Sequence, residues 1–208
     1  MELPIFTYTG KQTDRKASLD DAVFGISPNS HAVYLDIKHF RANQRQGTHK
    51  TKERSEITGS TRKIQKQKGT GNARRGDIKS NILRGGARVF GPKPRDYSFK
   101  LNKKQKTLAR KSVLSYKAQN QHIQILEDFF FDQPKTKNYL KLLNNLSLQS
   151  KKTLLILPKT EKNIVLASRN LSKARVTTAA CLNTYDLLHA DHLLISESSL
   201  ALIHENLK

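Results

Sequence analysis

The sequence predicts an α/β fold: a single globular domain with a mainly parallel sheet flanked by helices, plus a long extended basic internal loop. Two observations carry this expectation. From residue 122 onward, short apolar or β-branched runs alternate four times with segments of helical periodicity, the order that gives a parallel sheet covered by helices. Upstream, the charge surplus and most of the glycine are concentrated in one window. Residues 41–111 hold 22 of the 38 Lys and Arg but four of the 17 acids (Glu53, Glu56, Asp77, Asp96), and so carry +18 of the formal +21. Eight of the ten glycines lie in that window and none follows Gly91. The expected organisation is a globular domain built from residues 1–45 and 102–208, with an insertion over 46–101.

Taken in chain order, the first residues are extended, with Leu3, Ile5 and Thr7 alternating. A helix is expected from about 29 to 45, with Val33, Ile37 and Phe40 on one side. After the insertion, Asn102 offers an N-cap for a helix running to about Gln119, and Gln105 stands where a capping box needs it. At about 100° per residue, Lys103, Lys106, Arg110 and Lys117 fall within an arc of roughly 60°, while Leu108, Ala109, Ser112 and Tyr116 lie on the other side. One face would dock on the sheet and the other hold phosphates. Strands are expected at 122–126, 153–157, 175–178 and 192–195. Helices are expected at 135–148, 161–171, 183–189 and 197–207, where Leu140, Leu143 and Leu146, then Leu200, Ile203 and Leu207, recur at helical spacing.

Composition sets the class of partner. A net charge of +21 repels itself unless an anionic partner neutralises it, which points to nucleic acid or an anionic membrane. No apolar run approaches the roughly 20 residues of a spanning helix, and the longest, LLIL at 154–157, stops at Pro158. The first ten residues lack the basic and apolar regions of a secretory signal, so a cytoplasmic location is expected. A single cysteine, Cys181, excludes an intramolecular disulfide and reads as a small core residue.

The insertion has too few apolar residues to pack on protein, and its composition alone is that of a disordered segment. Yet it is internal, its glycines are dispersed through the charge, and Phe90, Pro92, Pro94, Tyr97 and Phe99 stand at its far end. Prolines fix extended backbone and aromatics stack on unpaired bases, so the segment reads as a loop ordered by a polyanion. Folded back as a hairpin it would reach at most about 90 Å.

Rival chemistry fails on spacing. KGTGNARRG lacks the GxxxxGK[ST] pattern, and its GTG follows no apolar strand. Asp186, His189, Asp191 and His192 lie at an expected helix–strand junction with no third carboxylate or Cys at ligand spacing, so His189 and His192 read as surface-loop histidines. Glu127, Asp128 and Asp132 form an acidic strand end without the further acids a two-metal nuclease needs.

The segments RQGTHKTK (45–52), QKGTGNAR (67–74), RGGARVFGPKPRDYS (84–98), QPKTK (133–137), ASRNL (167–171) and TYDLL (184–188) resemble, in this order, the bacterial large-subunit ribosomal protein four family. Family members usually carry Trp-Arg where this chain has Gln65-Lys66, an Arg at Asn72 and a Gly at Ala87. The resemblance implies a structural, non-enzymatic protein with no cofactor or metal. It would bind large-subunit ribosomal RNA early in assembly, touch several RNA domains and neighbouring ribosomal proteins, and line the polypeptide exit tunnel, where the nascent chain passes. Some members also repress their own operon.

The RNA-binding side chains implied by charge and resemblance are Arg45, Lys50, Lys52 and Arg54, then Arg62, Lys63, Lys66 and Lys68 toward the tip. The returning limb adds Arg74, Arg75, Lys79, Arg84, Arg88, Lys93 and Arg95, and the following helix adds Lys103, Lys106, Arg110 and Lys117. The resemblance makes Gln67, Lys68, Gly69, Thr70 and Gly71 the tunnel tip, where changes in family members alter macrolide response. The alternative is an enzyme that uses the basic segment to clamp an RNA substrate, and a catalytic constellation would distinguish it.

Overall fold

The structure is a computed structural model that describes residues 1–207. The chain divides into two compact units, Met1–Arg41 with Lys100–Lys208, and Ala42–Phe99.

The first unit is α/β. Its strands are β1 (Glu2–Phe6), β2 (Gln12–Ser18), β3 (Ile123–Leu126), β4 (Thr153–Leu157), β5 (Ala174–Thr178) and β6 (His192–Ser196). They form one sheet of order β2-β1-β3-β6-β4-β5, parallel throughout except for the β1–β2 pair. The helices are α1 (Asp21–Phe24), α2 (Ser30–Asn43), α3 (Lys103–Gln119), α4 (Thr136–Asn145), α5 (Lys162–Ser168), α6 (Thr184–His189) and α7 (Glu197–Leu207). Among the described residues, no helix is long and apolar enough to cross a membrane.

A period of two residues sends alternate side chains of each strand to opposite faces. Leu154 and Ile156 of β4 join Ile123, Ile125, Leu193 and Ile195 in one core, closed by Val113 and Leu114 of α3, Leu187 of α6, and Leu200 and Ile203 of α7. Leu155, Leu157 and Leu194 point the other way, onto Tyr139, Leu142 and Leu143 of α4 and Ile164 and Ala167 of α5. All five residues of β4 are therefore buried, which is why its sequence is an unbroken apolar run.

β2 is an addition to the expected elements and the Asn102 cap is a correction, while Val33 of α2 packs, as expected, against the core that α3 and α7 close. β2 has no apolar alternation, since QTDRKAS buries only Ala17. It exists because it pairs with β1 from Glu2↔Ser18 to Phe6↔Gln12, and its exposed charges suit a sheet edge. Asn102 does precede α3, but its side chain makes no cap bond. The Gln105 N–H that such a cap would serve already donates to the Asn102 carbonyl at 3.1 Å. In α2 the most buried residues are Ala32 and Asp36. Asp36 accepts a hydrogen bond from the Thr184 hydroxyl at 2.5 Å, and Phe40 stacks on Tyr185 with ring centroids 5.0 Å apart.

At the amino ends of β3 and β6, the rings of His122 and His192 lie 4.9 Å apart, and the Nδ1 atom of each is buried without a hydrogen-bond partner. Burial, then His122, then Lys151 lower the pKa of His192, while Asp191 opposes them and Lys117 adds a small effect in the same direction. The unfolded chain thus binds this proton more readily than the folded one. Stability is full above the ordinary value of 6.5 and is lost as pH falls through the lower folded-state value. Urea unfolding of His192→Gln is expected to show a smaller loss of stability between neutral and mildly acidic pH than the parent. Leu155→Ala, at a side chain with no exposure, is expected to cost about 2–5 kcal/mol in the same assay.

Candidate nucleic-acid interface

Residues 44–102 form neither helix nor strand, yet the two limbs of the second unit are tied together. Going outward, the Arg95 N–H donates to the Gly47 carbonyl at 3.2 Å, Thr51 N–H to Pro92 at 3.1 Å, Arg88 N–H to Lys52 at 3.1 Å and Ile64 N–H to Gly76 at 3.0 Å. Gln65 Nε2 then donates to the Ala73 carbonyl at 2.6 Å and closes the neck of the tip. These pairs run in antiparallel order with shifts between them, the order of a chain folded back on itself.

Almost nothing in this unit is apolar and buried. Ala87 and Asp77 are its buried residues, each 8% exposed. Asp77 holds Arg54 through an Nη2–Oδ1 contact of 2.8 Å, Glu56 pairs with Lys50 and Glu53 with Lys93. Asp96 accepts from the Ser98 N–H at 2.8 Å and from its hydroxyl at 2.6 Å. The bond from Lys50 holds the Glu56 carboxyl below its usual range, and the bond to Glu53 raises Lys93. The bonds from Ser98 likewise lower Asp96. All four acids of the window thus serve the unit's own fold, and the surplus cations face outward.

Of the residues named from sequence, Arg45, Lys52, Arg62, Lys63, Lys66, Lys68, Arg74, Arg75, Arg84, Arg88 and Arg95 are exposed, and Lys79 is half-buried. Lys50, Arg54 and Lys93 are exposed but ion-paired. Gln67, Lys68, Gly69, Thr70 and Gly71 are all exposed. Gly69 and Gly71 have φ of +85° and +69° with no atom within 4 Å of a would-be Cβ. Glycine is needed there for the left-handed backbone and not for space.

Two readings of aromatic and basic residues change. Tyr97 does not offer a free ring: the guanidiniums of Arg45 and Arg95 lie over it, 3.8 and 4.6 Å from its centroid. Its hydroxyl lies 3.3 Å from His49 Nε2, so the ring fastens the base of the two limbs. On α3, in the other unit, Lys103 is exposed and Lys106 and Arg110 are half-buried, but Lys117 is buried at 5% exposure. Its Nζ donates to the Ala190 carbonyl at 2.5 Å, and burial lowers its pKa. Lys117 is a core cation and drops out of the stripe expected on this helix.

The cause is that α3 is surrounded along its second half. Ser112, Val113, Leu114, Ser115 and Ala118 are buried as well, while Leu108 and Tyr116, expected to dock, are exposed at 40% and 49%. The sequence reading also passed over Lys100 and Lys104, both exposed. They lie beside Lys103 but off the narrow arc used to define the stripe.

The rival clusters have structural duties. Asp186 is buried in α6 and meets Arg175 at 2.5 Å; its N–H donates to the capping Asn183 side chain at 2.7 Å. The ring of His189 stacks on Tyr185, and the Asp191 carboxylate accepts from the Lys152 N–H at 2.9 Å. His192 is half-buried against His122. Glu127 pairs with Arg15 at 2.8 Å, and Asp128 accepts from the Ser198 hydroxyl at 2.8 Å. Among the described residues, no group of three or more His, Cys, Asp or Glu is placed to hold a metal ion. Cys181 is exposed, not core; Ala179 of the same short 3-10 turn is the buried residue.

The family model described as "Ribosomal protein L4/L1 family" matches residues 17–206. The chain is 63% identical over 206 residues to the large ribosomal subunit protein uL4 of Amoebophilus asiaticus, covering 99% of this chain and 98% of that protein. It is 60% identical over 203 residues to the uL4 protein of Phocaeicola vulgatus, covering 98% of each. Against the uL4 protein of Parabacteroides distasonis it is 58% identical over 208 residues, the whole of both chains. The chain belongs to the ribosomal protein L4/L1 family.

Proposed function

We propose that this protein binds large-subunit ribosomal RNA through the unit Ala42–Phe99 and the exposed start of α3, docks early in assembly, and sets the residues around Lys68 into the wall of the exit tunnel. As a member of its family it is a structural component of the large ribosomal subunit and not an enzyme. It acts in the cytoplasm, among ribosomal RNA and ribosomal proteins. The observation that carries the RNA reading is the division of charge in the second unit: every acid is turned to the unit's own bonds while the surplus Lys and Arg remain exposed. Such a surface is neutralised by phosphates, with release of their counterions.

The two basic regions have different tasks. Lys103 and Lys106 stand on a formed helix, so little ordering is lost when they meet phosphates. The tip 67–71 makes few bonds of its own beyond the neck at Gln65, and its ordering is completed against RNA. The helix therefore contributes more to initial docking, and the tip more to the shape of the tunnel wall.

Titration of transcribed large-subunit RNA at several salt concentrations tests the first claim. With about ten phosphate contacts, log K falls against log salt with a slope of about −7 to −9, and each neutralised contact reduces it by about one. A slope near zero would mean that charge is not the source of affinity. The division of labour is tested by incorporation into particles on sucrose gradients. Lys68→Glu is expected to incorporate and to change macrolide response, whereas Lys103→Glu with Lys106→Glu is expected to impair incorporation. The opposite pattern would reverse the assignment of roles.

A further inference from the structure

Phe90 is fully exposed, yet the backbone that carries it is pinned on both sides. Before it, the Arg88 N–H donates to the Lys52 carbonyl at 3.1 Å, and after it the Pro92 carbonyl accepts from the Thr51 N–H at 3.1 Å. Residues 88–92 are thus an arch with both feet on the neighbouring pair 51–52, and Phe90 stands at its middle. Gly91 lets the arch close: a Cβ at that position would lie 1.8 Å from Thr51 Oγ1. The arch is specified by backbone bonds and one close approach, and none of these contacts covers the aromatic ring.

A large apolar ring held open to water gains on being covered, and its surroundings say by what. Lys52 and Arg88, at the feet of the arch, are exposed. The nearby carboxylates Glu53 and Glu56 are already taken by Lys93 and Lys50. A ring flanked by uncompensated cations fits a flat π-system attached to a polyanion, which is the chemistry of a nucleobase and its phosphates. Tyr97 cannot serve in the same way, because Arg45 and Arg95 occupy its ring.

We propose that Phe90 is a stacking platform for an unpaired nucleobase, with Lys52 and Arg88 holding the flanking phosphates. The assignment rests on the RNA-binding reading above and adds to it a discrete single-nucleotide subsite.

The chain contains no Trp, so Phe90→Trp installs one indole that reports on this position alone. Transcribed bacterial large-subunit RNA is expected to bind this variant within about twofold of the parent and to quench its fluorescence, because a stacked base replaces water on the ring. A blunt, fully paired RNA duplex is expected to leave the emission unchanged. Phe90→Ala is expected to weaken binding of the same large-subunit RNA by about 5- to 100-fold, with the salt slope unchanged because no phosphate contact is removed. The ring packs on nothing, so thermal melting of either variant should match the parent. Unquenched emission from RNA-bound Phe90→Trp, equal quenching by the duplex, or parental affinity in Phe90→Ala would each overturn the stacking assignment. Failure of the parent protein itself to bind the large-subunit RNA would instead overturn the RNA reading on which it rests.

Discussion

The constraint on which the rest depends is that residues 42–99 must keep a defined shape without an apolar core. Hydrophobic burial, the main source of stability in globular domains, is nearly absent there, with Ala87 the only apolar residue of the unit that is buried. What replaces it is a sparse set of backbone bonds between limbs, three ion pairs and the Arg45–Tyr97–Arg95 contact. These interactions are individually modest in water. They select a conformation more than they stabilise it, and the bulk of the charge is left to be balanced from outside.

The α/β unit solves the opposite problem. Its net charge, +10 of the formal +21, is spread over 150 residues against +11 over 58 in the other unit, and it buries two apolar cores, one on each face of the sheet. The notable exception is Lys117, a cation inside the first core. Its position is tolerable because the ammonium reaches the Ala190 carbonyl and Asp191 partly offsets the cost of burial. A side chain that sequence places on a phosphate-binding stripe is thereby converted into a tie between α3 and the start of β6.

An RNA-processing enzyme would require acids or nucleophiles that converge, and the acids here diverge into structural duties. Glu127 and Glu197 share Arg15, Asp128 holds the first turn of α7 through Ser198, and Asp186 is locked between Asn183 and Arg175. These carboxylates are held by partners within the fold.

The sequence by itself determined the sheet's parallel strands and the position of the basic segment. Apolar runs such as 153–157 and 192–195 have no stable alternative to burial, and a charge surplus confined to 41–111 has no protein core to enter. The family was also legible, in motifs such as RGGARVFGPKPRDYS, and so was most of the exposed basic set. Only the tertiary structure decided the remainder. β2 is a strand because β1 lies beside it, Lys117 is buried because α3 is enclosed along its second half, and Cys181 is exposed because its 3-10 turn buries Ala179 instead. Tyr97 is occupied while Phe90 is presented, although both are aromatic residues in the same basic run. Local pattern reports what a residue prefers; burial and availability depend on neighbours distant in sequence, and the pairs 47 with 95 and 51 with 92 are visible only once the chain has folded back.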